Sequence, residues 1–310
     1  MHELYKMHRP KMLRDLIGQD ETVKIVKKML VDGKIPHAIM LSGPSGVGKT
    51  SLARILQSKL NCEEGDFREI NCASARGIDT IRDIQTKTGC SAFHKDGTRI
   101  WYFDEAHKIT NDAQSSMLKM LEDVPSHVYF ILATTDPGKL LKTIHTRCTE
   151  LKLRNLTTTE LTQLVKKVLE AEKQALSSPV ITALVESVEG SARKALVMLE
   201  QILSLDTDKE QLETIQSADA KRQAYELMKM LVFNDKQGSW LEAVKILKDI
   251  EEEPETIRRQ VLGLATKALL DNPKNKARAF NVICAFEANF FDSGKAGLVR
   301  ATMECLENRK

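Results

Sequence analysis

Leu41 to Arg54 reads LSGPSGVGKTSLAR, and this stretch decides the fold class. Gly43-Pro44-Ser45-Gly46-Val47-Gly48-Lys49-Thr50 fits G-x-x-x-x-G-K-[ST], between an apolar run, AIMLS at 38–42, and the helix-period segment SLARILQSKL. Strand, tight loop and helix in that order are the context that gives the motif its meaning. The glycines let backbone N–H groups face an anion, the helix start adds the positive end of its dipole, and Lys49 reaches the outer phosphates of a nucleoside triphosphate. Pro44, Ser45, Gly46, Val47, Gly48 and Ser51 complete the cradle, and Thr50 is placed to ligate Mg²⁺. ATP and Mg²⁺ are the cofactors this reading implies.

Further apolar runs follow at FREIN (67–71), RIWYFD (99–104), VYFILAT (128–134) and CTELKL (148–153), with helix-period segments between them. That alternation predicts a parallel five-stranded α/β sheet. The third run carries two adjacent carboxylates, Asp104 and Glu105, at its end. Successive strand-end residues point to different sides, so Asp104 suits a metal-bound water while Glu105 orients and deprotonates an attacking water. Such a pair also caps helices; the loop upstream favours catalysis. Thr134 and Thr135 end the fourth run, where a hydroxyl reaches the γ phosphate if that strand lies between the other two, or else marks an ordinary turn.

From Asn155 onward the alternation stops. LTTTELTQLVKKVLEAEK places Leu161, Leu164, Val165, Val168 and Leu169 on one helical face, and two more helix patterns end near residue 205. The polar stretch DTDKEQLETIQSADAK (206–221) reads as a divider before roughly five amphipathic helices, with breaks near Asn234–Gly238, Pro254, Asn272–Pro273 and Ser293–Gly294. Nothing in this last third converges polar groups at catalytic spacing.

With 46 Lys+Arg against 43 Asp+Glu among 310 residues, net charge does not by itself argue for nucleic acid. Contact with DNA has to come from local placement. No apolar run approaches the roughly 18 residues of a membrane span, so a cytoplasmic protein, or one of the host cytoplasm if viral, is expected without a membrane partner. The six cysteines show no paired spacing and read as buried thiols.

In order, LYKMHRPKMLRDLIGQDE (4–21), HAIMLSGPSGVGKTSLA (37–53), INCASARGIDTIRD (70–83), FDEAH (103–107), DAQSSMLKMLEDVPSHVYFILATTDPGKLLKTIHTRC (112–148) and GSARKALVMLEQ (190–201) resemble the ATPase subunits of sliding-clamp loaders. That AAA+ group includes small subunits of replication factor C and the γ subunit of bacterial DNA polymerase III. The resemblance covers residues 4–201. It implies an AAA+ P-loop domain at 1–154, an all-α three-helix lid at 155–207 and an all-α collar at 208–310 that joins subunits. The implied partners are a sliding clamp, primer-template DNA and a five-membered ring of several copies with one different subunit.

The same resemblance assigns roles. Thr135 matches a sensor of the γ phosphate, and Arg193 matches a lid arginine that reaches the nucleotide. Tyr5, Lys6, Met7, His8, Arg9 and Ile17 fall where the family cradles adenine. Arg147 matches an arginine that enters the neighbouring subunit's site; without the resemblance it reads as a surface arginine. Arg76, Arg82 and Lys87, at and after the helix start near Gly77, match phosphate contacts to DNA or else a solvated face. Lys119 matches a residue coupling DNA to the ATP site.

The chain departs from the family at Thr146, where serine is usual. It also lacks a four-cysteine module after Cys62 and is expected to lack the C-terminal extension of bacterial τ forms. Those features suggest the compact, bacteriophage-like type. Two other functions stay open: a non-hydrolysing structural ring subunit, and another DNA-remodelling AAA+ ATPase such as a branch-migration motor, which predicts strands after the lid.

Overall fold

The computed structural model describes residues 3–89, 92, 97–233, 240–250, 253–271 and 276–307, without the side chains of 217–222. They divide into two compact units, Met1–Ser204 and Leu205–Lys310. The first contains, in chain order, α1 (Leu4–Met7), α2 (Asp20–Val31), β1 (Ala38–Ser42), α3 (Lys49–Lys59), β2 (Phe67–Asn71), α4 (Ile78–Thr88) and β3 (Arg99–Asp104). It continues through α5 (Asn111–Glu122), β4 (Val128–Thr134), α6 (Lys142–His145), β5 (Thr149–Lys152), α7 (Thr158–Glu172), α8 (Ser178–Ser187) and α9 (Ala192–Ile202). The second holds α10 (Asp208–Phe233), α11 (Trp240–Asp249), α12 (Pro254–Asp271), α13 (Lys276–Ala285) and α14 (Gly294–Glu307).

The strands form one parallel sheet in the order β2-β3-β4-β1-β5. Period-two alternation sends Ile39, Leu41, Ile100, Tyr102, Ile131 and Ala133 to one face, where Val26, Leu52, Ile55 and Leu56 cover them. Met40, Trp101, Phe103, Phe130 and Leu132 face the other way, against Ile81, Ile84, Met117 and Ile144. Both faces are buried, which is why these strands read as nearly unbroken apolar runs. The order also puts β4 between β3 and β1, so the ends of all three strands meet at one edge.

Helices α7, α8 and α9 pack on one another. Thr157 and Glu160 form a reciprocal capping box at the start of α7. The Arg154 guanidinium grips Glu160 at 2.7 and 2.8 Å and holds its carboxyl down at about 2. The Gln19 side chain exchanges two hydrogen bonds with the Arg154 backbone, 2.8 and 3.1 Å, fixing the turn between β5 and α7.

In the second unit, α10 begins inside the stretch that the sequence reading treats as a divider. Thr207 accepts from the Glu210 N–H at 3.3 Å, capping a run rich in Glu, Gln, Lys and Ala, and Gln211 and Ile215 turn inward. The apolar stripe is too sparse to show as periodicity, but cap and propensity suffice. Breaks expected at 234–238 and 272–273 lie outside the described residues. Cys284 is exposed and Cys148 half-buried, against the expectation of buried thiols, whereas Cys62, Cys72 and Cys305 are buried; Cys90 lies outside the described residues.

Candidate functional site

The loop between β1 and α3 turns where glycine alone fits. Gly43 has φ +149°, and a Cβ there would lie 2.2 Å from the Leu153 carbonyl oxygen. Gly46, at φ +78°, is pressed from the far side: a Cβ would meet Ser191 Oγ at 2.3 Å. Ser191 caps α9 and donates to the Ser45 carbonyl at 3.3 Å, and the Arg193 N–H donates to the Gly46 carbonyl at 3.2 Å. The start of α9 is therefore bonded directly to the loop.

No side chain caps α3, and its first turn contains no acidic residue, so its N–H groups and dipole end remain available to an anion. Lys49 Nζ donates to the Gly43 and Pro44 carbonyls, both at 2.6 Å, and no carboxylate pairs with it among the described residues. Burial pushes its pKa down to about 8, the charge of Arg193 adds to this, and Asp104 and Glu105 partly oppose it. A half-buried ammonium with carbonyl partners only, beside an uncapped helix start, fits a triphosphate.

Asp104 and Glu105 stand across the cleft at the end of β3. Asp104 Oδ1 accepts from the Glu105 N–H at 3.1 Å and from the Tyr102 hydroxyl at 3.3 Å. Tyr102 Oη is in turn 3.0 Å from Thr50 Oγ1. The donor set of a threonine hydroxyl and a carboxylate suits Mg²⁺, a hard cation that takes oxygen ligands. Glu105 holds φ +52°, a left-handed backbone that costs a non-glycine residue on the order of 1 kcal/mol and concentrates at functional positions. Thr135 is exposed at the end of β4, while buried Thr134 accepts from the Asp136 N–H at 3.0 Å and meets His107 Nδ1 at 3.3 Å.

The remaining wall comes from α1, the segment after it, α7 and α9. His8 Nε2 meets Glu172 Oε1 at 2.5 Å, and the Leu4 N–H donates to Glu200 at 3.3 Å, tying the N-terminal segment to α7 and α9. The Arg193 guanidinium lies 5.7 Å from the centre of the Tyr5 ring. One cleft is thus lined by Tyr5, His8, Arg9, Ile17, Ser45 to Ser51, Asp104, Glu105, Thr135 and Arg193. Leu16, Leu156, Leu164 and Leu196 add apolar wall that the sequence marked only as helical or loop hydrophobics. Tyr102 was missed as a polar residue, although its place two before Asp104 puts it on the same side of β3.

The other candidates lie elsewhere. Lys6 and Met7 are exposed and outside this lining, and Pro44 contributes its carbonyl to Lys49. Arg147 is also outside it: its Nε donates to Glu122 at 2.9 Å, its Nη1 donates to the Thr143 carbonyl at 2.8 Å, and its Nη2 meets the same carboxylate. Arg76 is exposed just before α4, whose N-terminus has no side-chain cap. Among the described residues, Arg82 and Lys87 form ion pairs with exposed Asp79 and Asp83 on their own helix, at 3.5 and 2.6 Å, contacts of little energetic weight. Lys119 is exposed on α5.

A family model described as DNA polymerase III, delta subunit, matches residues 18–81 and 73–157. The RuvB Holliday junction branch migration motor of Thermotoga maritima shares the fold, with TM-score 0.59 at 18% identity over 86% of this chain and 89% of that one. The tau subunit of DNA polymerase III of Bacillus subtilis is 32% identical over 228 residues, 66% of this chain. The match spans only 40% of that longer protein. The gamma subunit of Buchnera aphidicola (from Schizaphis graminum) is 31% identical over 256 residues, 75% of this chain and 70% of its own length. By that match, over most of both chains, this chain belongs to the gamma/tau family of DNA polymerase III subunits.

Proposed function

We propose that this chain is an ATP-hydrolysing subunit of a sliding-clamp loader. The observation that carries the reading is the sheet order: with β4 between β3 and β1, the phosphate loop, Asp104, Glu105, Thr135 and Arg193 line one cleft. A structural subunit that does not hydrolyse has no use for that convergence. The described residues after Leu205 form helices, where a branch-migration motor was expected to carry strands.

In this reading residues 1–154 bind nucleotide, 155–207 form the lid and 208–310 the collar. The first-turn N–H groups of α3 and the ammonium of Lys49 hold the β and γ phosphates. Thr50 and Asp104 hold Mg²⁺, which neutralises charge on the phosphate oxygens. Tyr5, His8, Arg9 and Ile17, with the leucines around them, take the adenine. Glu105 accepts a proton from the attacking water as its oxygen bonds to the γ phosphorus and the bond to the ADP oxygen breaks. Thr135 orients that water, and Arg193 senses the γ phosphate from α9.

Arg147 is turned away from its own cleft, which suits a residue that acts on a neighbour's ATP in a ring of five. Such an arginine spreads transition-state charge and is worth on the order of 10³ to 10⁵ in rate. Arg76 before α4, and Arg82 and Lys87 along it, contact primer-template phosphates, read without base contacts. ATP binding then closes the ring on clamp and DNA, and hydrolysis releases them.

The test is ATPase turnover with a candidate clamp and partner subunit, with and without primed DNA. Stimulation by clamp and primed DNA together is expected. Turnover indifferent to both would remove the clamp-loader reading while leaving an ATPase.

A further inference from the structure

The geometry points to Tyr102 as a positioning residue for the Mg²⁺ site, its buried hydroxyl fixing the orientation of both Thr50 and Asp104. This rests on the nucleotide reading above. Tyr102 is fully buried, its ring stacked on Phe67 at 5.8 Å, so the hydroxyl has one place to be. A phenol has a single hydrogen, and an ionised carboxylate can only accept. The Tyr102 hydrogen therefore goes to Asp104 Oδ1, and the 3.0 Å contact is a donation from Thr50 Oγ1 to Tyr102 Oη. The opposite sense would set two lone pairs against each other at 3.3 Å.

Two consequences follow for the metal ligands. Thr50, having given its hydrogen to Tyr102, turns its lone pairs outward. Asp104 Oδ1 is engaged by Tyr102 and by the Glu105 N–H, so the carboxylate is rotated with Oδ2 left for the metal or its water. Among the described residues the carboxylate is otherwise held by the Glu105 N–H alone, and the threonine hydroxyl is a rotor; one buried hydroxyl between them orients both. Outer contacts that orient ligands in this way commonly govern metal affinity.

Tyr102→Phe removes only this hydroxyl and keeps the ring. Binding of a fluorescent ATP analogue is measured in EDTA and across a Mg²⁺ titration, with a melting curve for each protein. The variant is expected to match the native protein in EDTA, while the Mg²⁺ concentration for half-maximal enhancement rises about three- to tenfold, the size of one lost hydrogen bond. A superimposable Mg²⁺ dependence overturns the inference. So does an equal loss with and without Mg²⁺ accompanied by a lower melting temperature, which would make Tyr102 a packing residue. If the native protein itself binds no analogue under either condition, the nucleotide reading and this inference fall together.

Discussion

Two charge clusters, one in each unit, use similar side chains to opposite ends. In the second unit Glu255 is 6% exposed and accepts from Arg258 through two bonds of 2.7 Å, from Arg259 at 3.0 Å and from the Phe290 N–H at 2.9 Å. Arg258 spends a further nitrogen on the Phe286 and Glu287 carbonyls. Its guanidinium holds the Glu255 carboxyl down at about 2. In the first unit the ammonium of Lys49 meets carbonyls alone, and the carboxylates that would answer it stand across the cleft. Where charge is matched within the chain it ties α12 to the segment before α14. Where it is left unmatched, the proposed function assigns the missing charge to a ligand and the cation between.

The largest break in that comparison is expected at a third arginine. Arg147 is paired with Glu122 within the subunit, but its proposed work is on a neighbour's γ phosphate. Arg147→Ala should lower ATP turnover by about 10³ to 10⁵ while leaving ATP affinity unchanged. Mixing it with Lys49→Ala should restore part of the turnover, because one chain supplies the arginine and the other the intact loop. A loss confined to affinity would make Arg147 a structural residue.

Next in size is the matched cluster. Glu255→Gln leaves the Arg258 charge buried beside a neutral partner and should cost about 3 kcal/mol in urea unfolding. The stabilisation from Glu255 is complete above the ordinary carboxyl value of 4.5 and is lost as pH falls toward about 2. Lys49→Ala in the same assay should leave stability unchanged or raise it, since it removes a half-buried charge that has no carboxylate partner among the described residues.

A smaller effect follows the Lys49 proton. Its pKa is depressed from 10.5 to about 8, so the unbound protein gains stability as pH rises from about 8 toward 10.5. A triphosphate prefers the charged lysine. Affinity for ATP should therefore be level below about pH 8 and fall by up to about tenfold per pH unit above it, with proton uptake on binding measurable by calorimetry in two buffers. The smallest effect is expected at α4. Arg82→Glu should reduce the slope of log DNA affinity against log salt by about one and weaken binding evenly across sequences; an unchanged slope removes Arg82 from the DNA path.

Much of the fold was legible because it is written locally. β1, β2, β3 and β4 coincide with their apolar runs, and the loop between β1 and α3 follows from spacing alone. What was not legible is contact across long stretches of chain. Nothing near Gly46 says that Ser191 presses on it, and nothing near Arg154 announces Gln19. Tyr102 passed as one more apolar strand residue because its hydroxyl acquires a role only when β3 lies beside the loop that carries Thr50. The roles proposed for Arg147 and Arg193 rest on the family resemblance, since a single arginine in a turn or at a helix start carries no local signal.

The central claim is that the unmatched charge of Lys49 is completed by a nucleotide with its metal. Calorimetric titration of the native protein and Lys49→Ala with MgATP near pH 7 tests this most directly, with melting curves for both. The native chain is expected to bind one ATP, and the variant to bind at least tenfold more weakly at an equal or higher melting temperature. Equal binding by both proteins, or no binding by the native chain, would contradict it.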